Sequence, residues 1–434
     1  MISYSNPVTG MPDPGSIDRS GLVPQLHTMP NGQPVACFYD NHLDMVRIDV
    51  TFEAGSAWQD KLLQAGITLR LLTEGTLRHS AVEIAEFLDS HGIVLERNID
   101  NCCAGLSLYV LTRYAHALLP LLHEMLTEPA FPQAEYDIVT AKRYQDMLTN
   151  FQKTGFVARN QYYSHLYGLQ HPYGCYAVPD DMARLTVDDV RRFYASHYHL
   201  GAAQYVLAGN ITDELLTLFD DTFGQEPYTP FEPLHIPAPT PDDPTGTHNF
   251  ALAGAVQNTL RVGCILPFGW DSMEYAHFMV LSTLLGGYFG SRLMMNVRED
   301  KGYTYGINAA TQILRDSLAF YIVTDVASDK SLAALDEIRY EMRRLCEEPV
   351  PDEELQLVRS YIVGDFMRSI DGVFERAERY RMLNATLVTE QFTTNLLRAI
   401  DPADPQCATP DVLQRLANEM LTPSKLIAIN VGNV

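Results

Sequence analysis

The residues best suited to chemistry lie together in Gly286-Gly-Tyr-Phe-Gly-Ser-Arg-Leu-Met-Met-Asn-Val-Arg298-Glu-Asp-Lys-Gly302-Tyr-Thr-Tyr305-Gly. Val297 to Asp300 reads as the end of a helix starting near Ser291, with Gly302 as the left-handed residue after it. Tyr305 then opens a strand running to Gln312. A helix-end guanidinium and a strand-start phenol can point into one cleft. Hydrolysis of a peptide bond builds negative charge on the carbonyl oxygen, and donors aimed at that oxygen stabilise the transition state. Arg298 and Tyr305 are suitable donors, and Tyr303 is an alternative one, while the local residues by themselves read equally as an Arg–Glu surface pair beside a packed Tyr. Gly286 and Gly287 read as a turn that lets backbone approach closely. The segment lacks the spacing and the Gly-Lys-Ser/Thr ending of a phosphate loop.

Other chemistries find less support. A catalytic zinc needs three protein ligands, and two His on one helix face supply the usual pair. The thirteen His include no such pair. His197 and His199 read as neighbours on one face of a strand, without a third ligand. His116 and His123 are seven apart on a helix, about 10 Å, which is too far for one ion. Cys102 and Cys103 read as strand neighbours pointing to opposite faces. The chain contains no G-x-S-x-G or S-x-x-K nucleophile motif.

The elements that would hold these groups follow from hydrophobic period. Alternating runs predict strands at Val35–Tyr39, Met45–Phe52, Ala104–Leu111, Gln204–Ala208, Arg261–Leu266, Gly306–Gln312, Ala319–Asp325 and Leu426–Val431. Helical period predicts Val82–His91 ending at Gly92, Val190–His197 behind a Thr186/Asp189 capping box, Lys330–Cys346 and Asp352–Ile370. Their irregular alternation gives an α+β fold. Prolines 227, 230, 233, 237, 239, 241 and 244 mark an extended linker over 225–248. It separates a domain at 1–224 from one at 249–434. The two resemble each other: Val46-Arg-Ile-Asp-Val-Thr-Phe-Glu-Ala-Gly55 recurs as Leu260-Arg-Val-Gly-Cys-Ile-Leu-Pro-Phe-Gly269, about 214 positions on. Helix–turn–helix segments around Glu128-Pro129 and Glu348-Pro349 repeat at nearly the same offset, which points to internal duplication.

Composition sets the outer bounds. The 434 residues exceed one ordinary core, so two domains are expected. The chain is 46% hydrophobic and 20% charged, an ordinary globular balance. With 54 acids against 31 bases the net charge is -23, which opposes nucleic-acid binding. Seven scattered cysteines without a C-x-x-C pair predict buried free thiols rather than disulfides. No apolar run reaches a membrane span, and the first residues, Met1 to Pro7, lack a signal peptide's basic and apolar regions. A cytoplasmic setting is expected, with the periplasm as the alternative if a leader has been removed.

The Leu-Gly-Gly through Gly-x-x-Tyr pattern resembles the Arg/Tyr motif of the pitrilysin/insulinase metallopeptidases, in particular their processing-peptidase branch. Gly55-Ser56, Glu74-Gly75-Thr76 and His171-Pro-Tyr-Gly174 add weaker matches. The resemblance implies two homologous α+β domains forming half of a clamshell, and unfolded peptides as substrates. It places Arg298 and Tyr305 on the substrate, with Tyr303, Gly286 and Gly287 beside them. Aligned on Gly75-Thr76, the family's two zinc His fall at Gly66 and Arg70, its general-base Glu at Leu69, and its third ligand near Gln145-Asp146. Those residues cannot build a zinc site. The resemblance therefore implies no cofactor in this chain, zinc in a homologous partner chain, and proteolysis only in the pair. Alternatives are a non-catalytic scaffold or peptide-binding protein that self-associates as a dimer, and a hydrolase with unorthodox ligands.

Overall fold

A computed structural model describes residues 12–241 and 244–434. The first eleven residues, on which the leader reading rests, and residues 242 and 243 of the proline-rich segment lie outside the described residues.

Two mixed sheets organise the chain. The first is built from β1 (Gln25–Thr28), β2 (Pro34–Tyr39), β3 (Met45–Phe52), β4 (Val94–Ile99), β5 (Ala104–Leu111) and β6 (Gln204–Gly209). Its spatial order is β1-β2-β6-β3-β5-β4. The second holds β7 (Gly246–Ala251), β8 (Gln257–Leu266), β9 (Thr304–Leu314), β10 (Ser317–Ala327) and β11 (Ile427–Gly432), in the order β7-β11-β8-β10-β9. Without β1 the two orders superpose strand for strand. In each, one parallel pair (β2 with β6, β7 with β11) joins an otherwise antiparallel set. Register repeats as well: Phe52 faces Ala104 in the first sheet and Leu266 faces Leu318 in the second.

Each central strand is buried on both faces, and the two halves cover each other. On β3, Val46, Ile48, Val50 and Phe52 point into the first core, with Leu71, Leu118 and Leu122. Arg47, Asp49 and Thr51 point the other way and are also buried. There the helix Val373–Thr386, from the second half, packs Val373 and Ala377 on Ala36, Phe38, Val206 and Ala208. On β8, Leu260, Val262, Cys264 and Leu266 join the second core. The opposite face lies under Thr154–Tyr167, a helix from the first half. Tyr162 of that helix donates its hydroxyl to the Phe320 carbonyl.

Polar clasps hold the halves together. Arg315, at the tip of the β9–β10 hairpin, is fully buried and forks onto Glu53 at 2.6 and 2.7 Å. It also donates to the Ala385 carbonyl at 2.8 Å. The proline-rich segment is ordered around this hairpin: Ile236 is buried and its N–H donates to the Asp316 carboxylate at 2.9 Å. The Pro237 carbonyl accepts from His171 Nε2 at 2.9 Å, because His171 Nδ1 is taken up by the Tyr173 N–H. Proline explains the extended path, and apolar side chains between the prolines anchor it. Its last residues belong to β7, since Gly246 to His248 pair with β11.

The structure corrects some local expectations. His197 ends the helix Val187–His197 with its ring against Trp58 and Phe193, and His199 leads into a 3-10 turn, so the two share no strand face. Cys102 and Cys103 sit in the turn before β5, where the Asp100 carboxylate accepts from both of their N–H groups at 2.7 Å. The edge strands β1 and β4 were not expected: β4 reads Val-Leu-Glu-Arg-Asn-Ile, and its polar residues hide the alternation. All seven cysteines are free, and five of them are buried. Among the described residues no helix is long and apolar enough to cross a membrane.

Candidate functional site

Arg298 lies in the helix that follows the turn at Phe289-Gly290. The last part of that helix, Met294–Asp300, is wound as a π-helix, with Lys301 N–H reaching back to the Asn296 carbonyl at 3.0 Å. Such widened turns recur at functional sites because they displace side chains from the regular helical track. Gly302 follows at φ 64°, and its N–H closes on the Arg298 carbonyl at 3.1 Å. The Arg298 guanidinium rests 4.6 Å from the centre of the exposed Phe289 ring and 3.5 Å from Glu299, and its side chain is 32% exposed.

Tyr305 is placed by a bulge. Ile307 pairs with Thr324 and Thr304 with Val326, so Tyr305 and Gly306 together stand opposite Asp325. A bulge re-aims the side chain it carries, and Tyr305 is 92% exposed. Thr304 braces the bulge by donating to the Gly306 carbonyl at 2.8 Å. The helix of Arg298 packs on this strand, with Ile307 N–H on the Met294 sulfur at 3.5 Å. Arg298 and Tyr305 therefore sit on adjoining elements. Tyr303, by contrast, packs against the second core. Gly286 is buried, and a Cβ there would meet Ala309 Cβ at 2.6 Å, so its smallness serves helix-to-strand packing rather than a substrate contact. A Cβ at Gly287 would meet Thr283 at 3.3 Å.

The positions aligned with the zinc motif form a second region. Gly66 and Arg70 lie on the helix Gln64–Leu71, and Asp146 lies on Gln133–Asn150. All three line one cavity of about 1050 Å3, walled on the far side by Tyr163, Arg261, Gln312 and Tyr321. Leu69 is buried in the first core. Arg70 bridges to Glu74 at 2.7 Å, and Arg97 approaches the same carboxylate at 3.6 Å. Burial, then the neighbouring Arg70 charge, pulls the Arg97 guanidinium down to about 10. These residues do not fit zinc: a glycine has no ligand, a buried leucine cannot move a proton, and a guanidinium stands where an imidazole is needed. Among the described residues no group of three or more His, Cys, Asp or Glu is placed to hold a metal.

Sequence reasoning passed over two groups in this region. Arg261, inside a predicted strand, turns out to line the cavity. Tyr173, within His171-Pro-Tyr-Gly174, donates its hydroxyl to the Arg315 carbonyl at 2.6 Å and so clasps the halves. The only signal for Arg261 was a charge in an otherwise apolar run.

Comparison with known proteins places this geometry. Residues 184–361 match the peptidase M16 inactive domain. A Helicobacter pylori protein described as a non-peptidase homolog, YmxG, is 24% identical over 75% of this chain and 76% of its own. A Rickettsia bellii protein described as an uncharacterized zinc protease is 22% identical over 80% and 84%. The crystal structure of a peptidase M16 inactive domain from Pseudomonas fluorescens covers 95% of this chain and 98% of its own at 20% identity, with a TM-score of 0.82.

Proposed function

We propose that this chain, which matches the peptidase M16 inactive domain over residues 184–361, is the zinc-lacking, substrate-holding subunit of a two-chain metallopeptidase. The observation that carries this reading is the contrast between its two candidate regions. At the metal position, Arg70 and Glu74 pair with each other. Arg298 and Tyr305, on the other hand, keep a part-exposed guanidinium and an exposed phenol of which the fold makes little use. Their part in the reaction is to donate hydrogen bonds to the carbonyl oxygen of an extended peptide as charge develops there. The metal and the general base come from a homologous partner chain. β4 is an unpaired sheet edge whose end, Ile99, opens on the cavity, so an extended peptide has a strand to lie along.

Two experiments test this. Affinity capture of the chain from its host is expected to bring down a similar-sized protein carrying His-x-x-Glu-His. In the reconstituted pair, Arg298→Ala lowers turnover about a hundredfold, the scale of one lost oxyanion donor. Unchanged turnover removes Arg298 from the mechanism. A second reading, a non-catalytic peptide-binding protein, is favoured by the large cavity kept at the former metal position. Self-association without any zinc-bearing chain would put that reading first.

A further inference from the structure

Arg261 is 8% exposed on the central strand β8, yet none of its N–H groups meets an acceptor among the described residues, and its Nε is buried without a partner. Three phenol rings surround it, with centres 4.6 Å (Tyr321), 5.3 Å (Tyr162) and 5.6 Å (Tyr163) away. Ring faces attract a cation but do not take up its in-plane donors. A buried, unpaired guanidinium is costly unless something completes it.

The duplicated half shows what completion by the protein looks like. Arg47 occupies the same site on β3: Arg47 faces Tyr109 across β3 and β5, as Arg261 faces Val323 across β8 and β10, at one constant offset. Arg47 is held by Asp49 at 2.8 Å, by Glu378 and by the Phe374 carbonyl at 3.3 Å. The residue matching Asp49 in the second half is Gly263. A Cβ there would meet the Phe320 carbonyl oxygen at 1.9 Å and the Tyr162 hydroxyl at 2.4 Å, so that position cannot carry a counterpart of Asp49.

What Arg261 does face is the cavity, which is large enough for several peptide residues. In a chain of net charge -23, this cavity is richer in cations than in acids. With Arg70 engaged by Glu74 and Asp100 by backbone N–H groups, Lys142, Arg143, Arg159 and Arg261 remain against Glu135 and Asp146. Asn160 Nδ2, on the same wall, is a second buried donor without a partner. A planar guanidinium fork matches a carboxylate in two parallel hydrogen bonds. Tyr163 and Tyr321 flank it with surface for an apolar side chain.

We propose that this cavity binds the terminal carboxylate of an extended peptide, with Arg261 as the anchor. The proposal rests on the reading that the chain binds peptides, and it concerns this chain alone, without a zinc partner or turnover. The test uses the full-length chain and a fluorescein-labelled Ser/Ala/Phe decapeptide made with a free C-terminal carboxylate and as its C-terminal amide. Fluorescence anisotropy is expected to give at least tenfold tighter binding for the acid. Arg261→Gln erases that preference, bringing the acid down to the affinity of the amide. Equal affinity of acid and amide for the unmodified chain overturns the proposal, as does a preference that survives Arg261→Gln. Should Arg261→Gln lose its fold by circular dichroism, Arg261→Lys replaces it: a charge without the fork is expected to weaken the preference, and a full preference overturns the fork's role. Inorganic phosphate that displaces the acid peptide at equal concentration also overturns it, because the site would then take any oxyanion. Binding of neither peptide ends this proposal, while the Arg298 mechanism stands or falls by turnover in the reconstituted pair.

Discussion

Arg47 and Arg261 occupy the same register site in two copies of one folding unit, and their surroundings are opposite. Around Arg47 the fold supplies Asp49 from the same strand and Glu378 from the helix Val373–Thr386 of the other half. Burial works against ionisation of Glu378, but hydrogen bonds from Arg381 and Arg47 outweigh it and hold the carboxyl at about 2. Around Arg261 the covering helix, again from the other half, brings tyrosines instead of acids, and the cavity opens beside it. A buried arginine neutralised by its own fold is a structural clasp. One left with free donors on a cavity wall is a place for something else to bind. The duplication thus supplies an internal control that a single domain would not.

The strongest way to break this comparison is through Asp49. Asp49→Asn leaves Arg47 buried with only one of its two carboxylate partners, Glu378, and should destabilise the chain by about 3 kcal/mol. Urea unfolding reads this as a lower midpoint at unchanged slope. A negligible shift would mean that Arg47 is as unclaimed as Arg261, and the contrast would lapse. The acid limb of stability comes next. The folded Glu378 carboxyl titrates below its ordinary value of 4.5, so its contribution is complete above that value and fades as pH falls toward 2. Glu378→Gln should flatten the loss of stability between those limits. The same acid slope in both proteins would show that the clasp contributes nothing. The smallest effect is expected at Arg261. Arg261→Gln loses the attraction of the rings but also removes an uncompensated charge, and should change stability by less than about 1 kcal/mol. A cost equal to that of Asp49→Asn would make Arg261 a structural residue and undercut its role as an anchor.

Much of the fold was legible because its signals are local. Strict alternation in Met45–Phe52 and Ala104–Leu111 located β3 and β5 to the residue. The Thr186/Asp189 capping box forms as the spacing predicts, with each side chain on the other's N–H. Gly92 and Gly302 take the left-handed conformation expected after their helices, at φ 62° and 64°. The polar edge strand β4 was missed because edge residues need not alternate in hydrophobicity. The strand reading of His197 and His199 fails because the helix that the period predicts up to His197 does end there, and a 3-10 turn follows His199.

The amino-acid sequence alone determined the repeat, the residue types at Gly66, Leu69 and Arg70, none of which suits a zinc site, and the spacing of Arg298 and Tyr305. Each of these is a matter of residue identity and short-range period. Only the tertiary structure decided that Gly66, Arg70 and Asp146 open on a large cavity between the two halves, and that Arg47 also receives a carboxylate from the far half while Arg261 meets tyrosines. The physical reason is distance along the chain. Glu378 reaches Arg47 from the far half, and Tyr162 and Tyr163 come to Arg261 from the near one. Beyond the local difference of Asp49 against Gly263, the charge balance of each buried arginine is set by the side chains that the packing of the two halves brings to it.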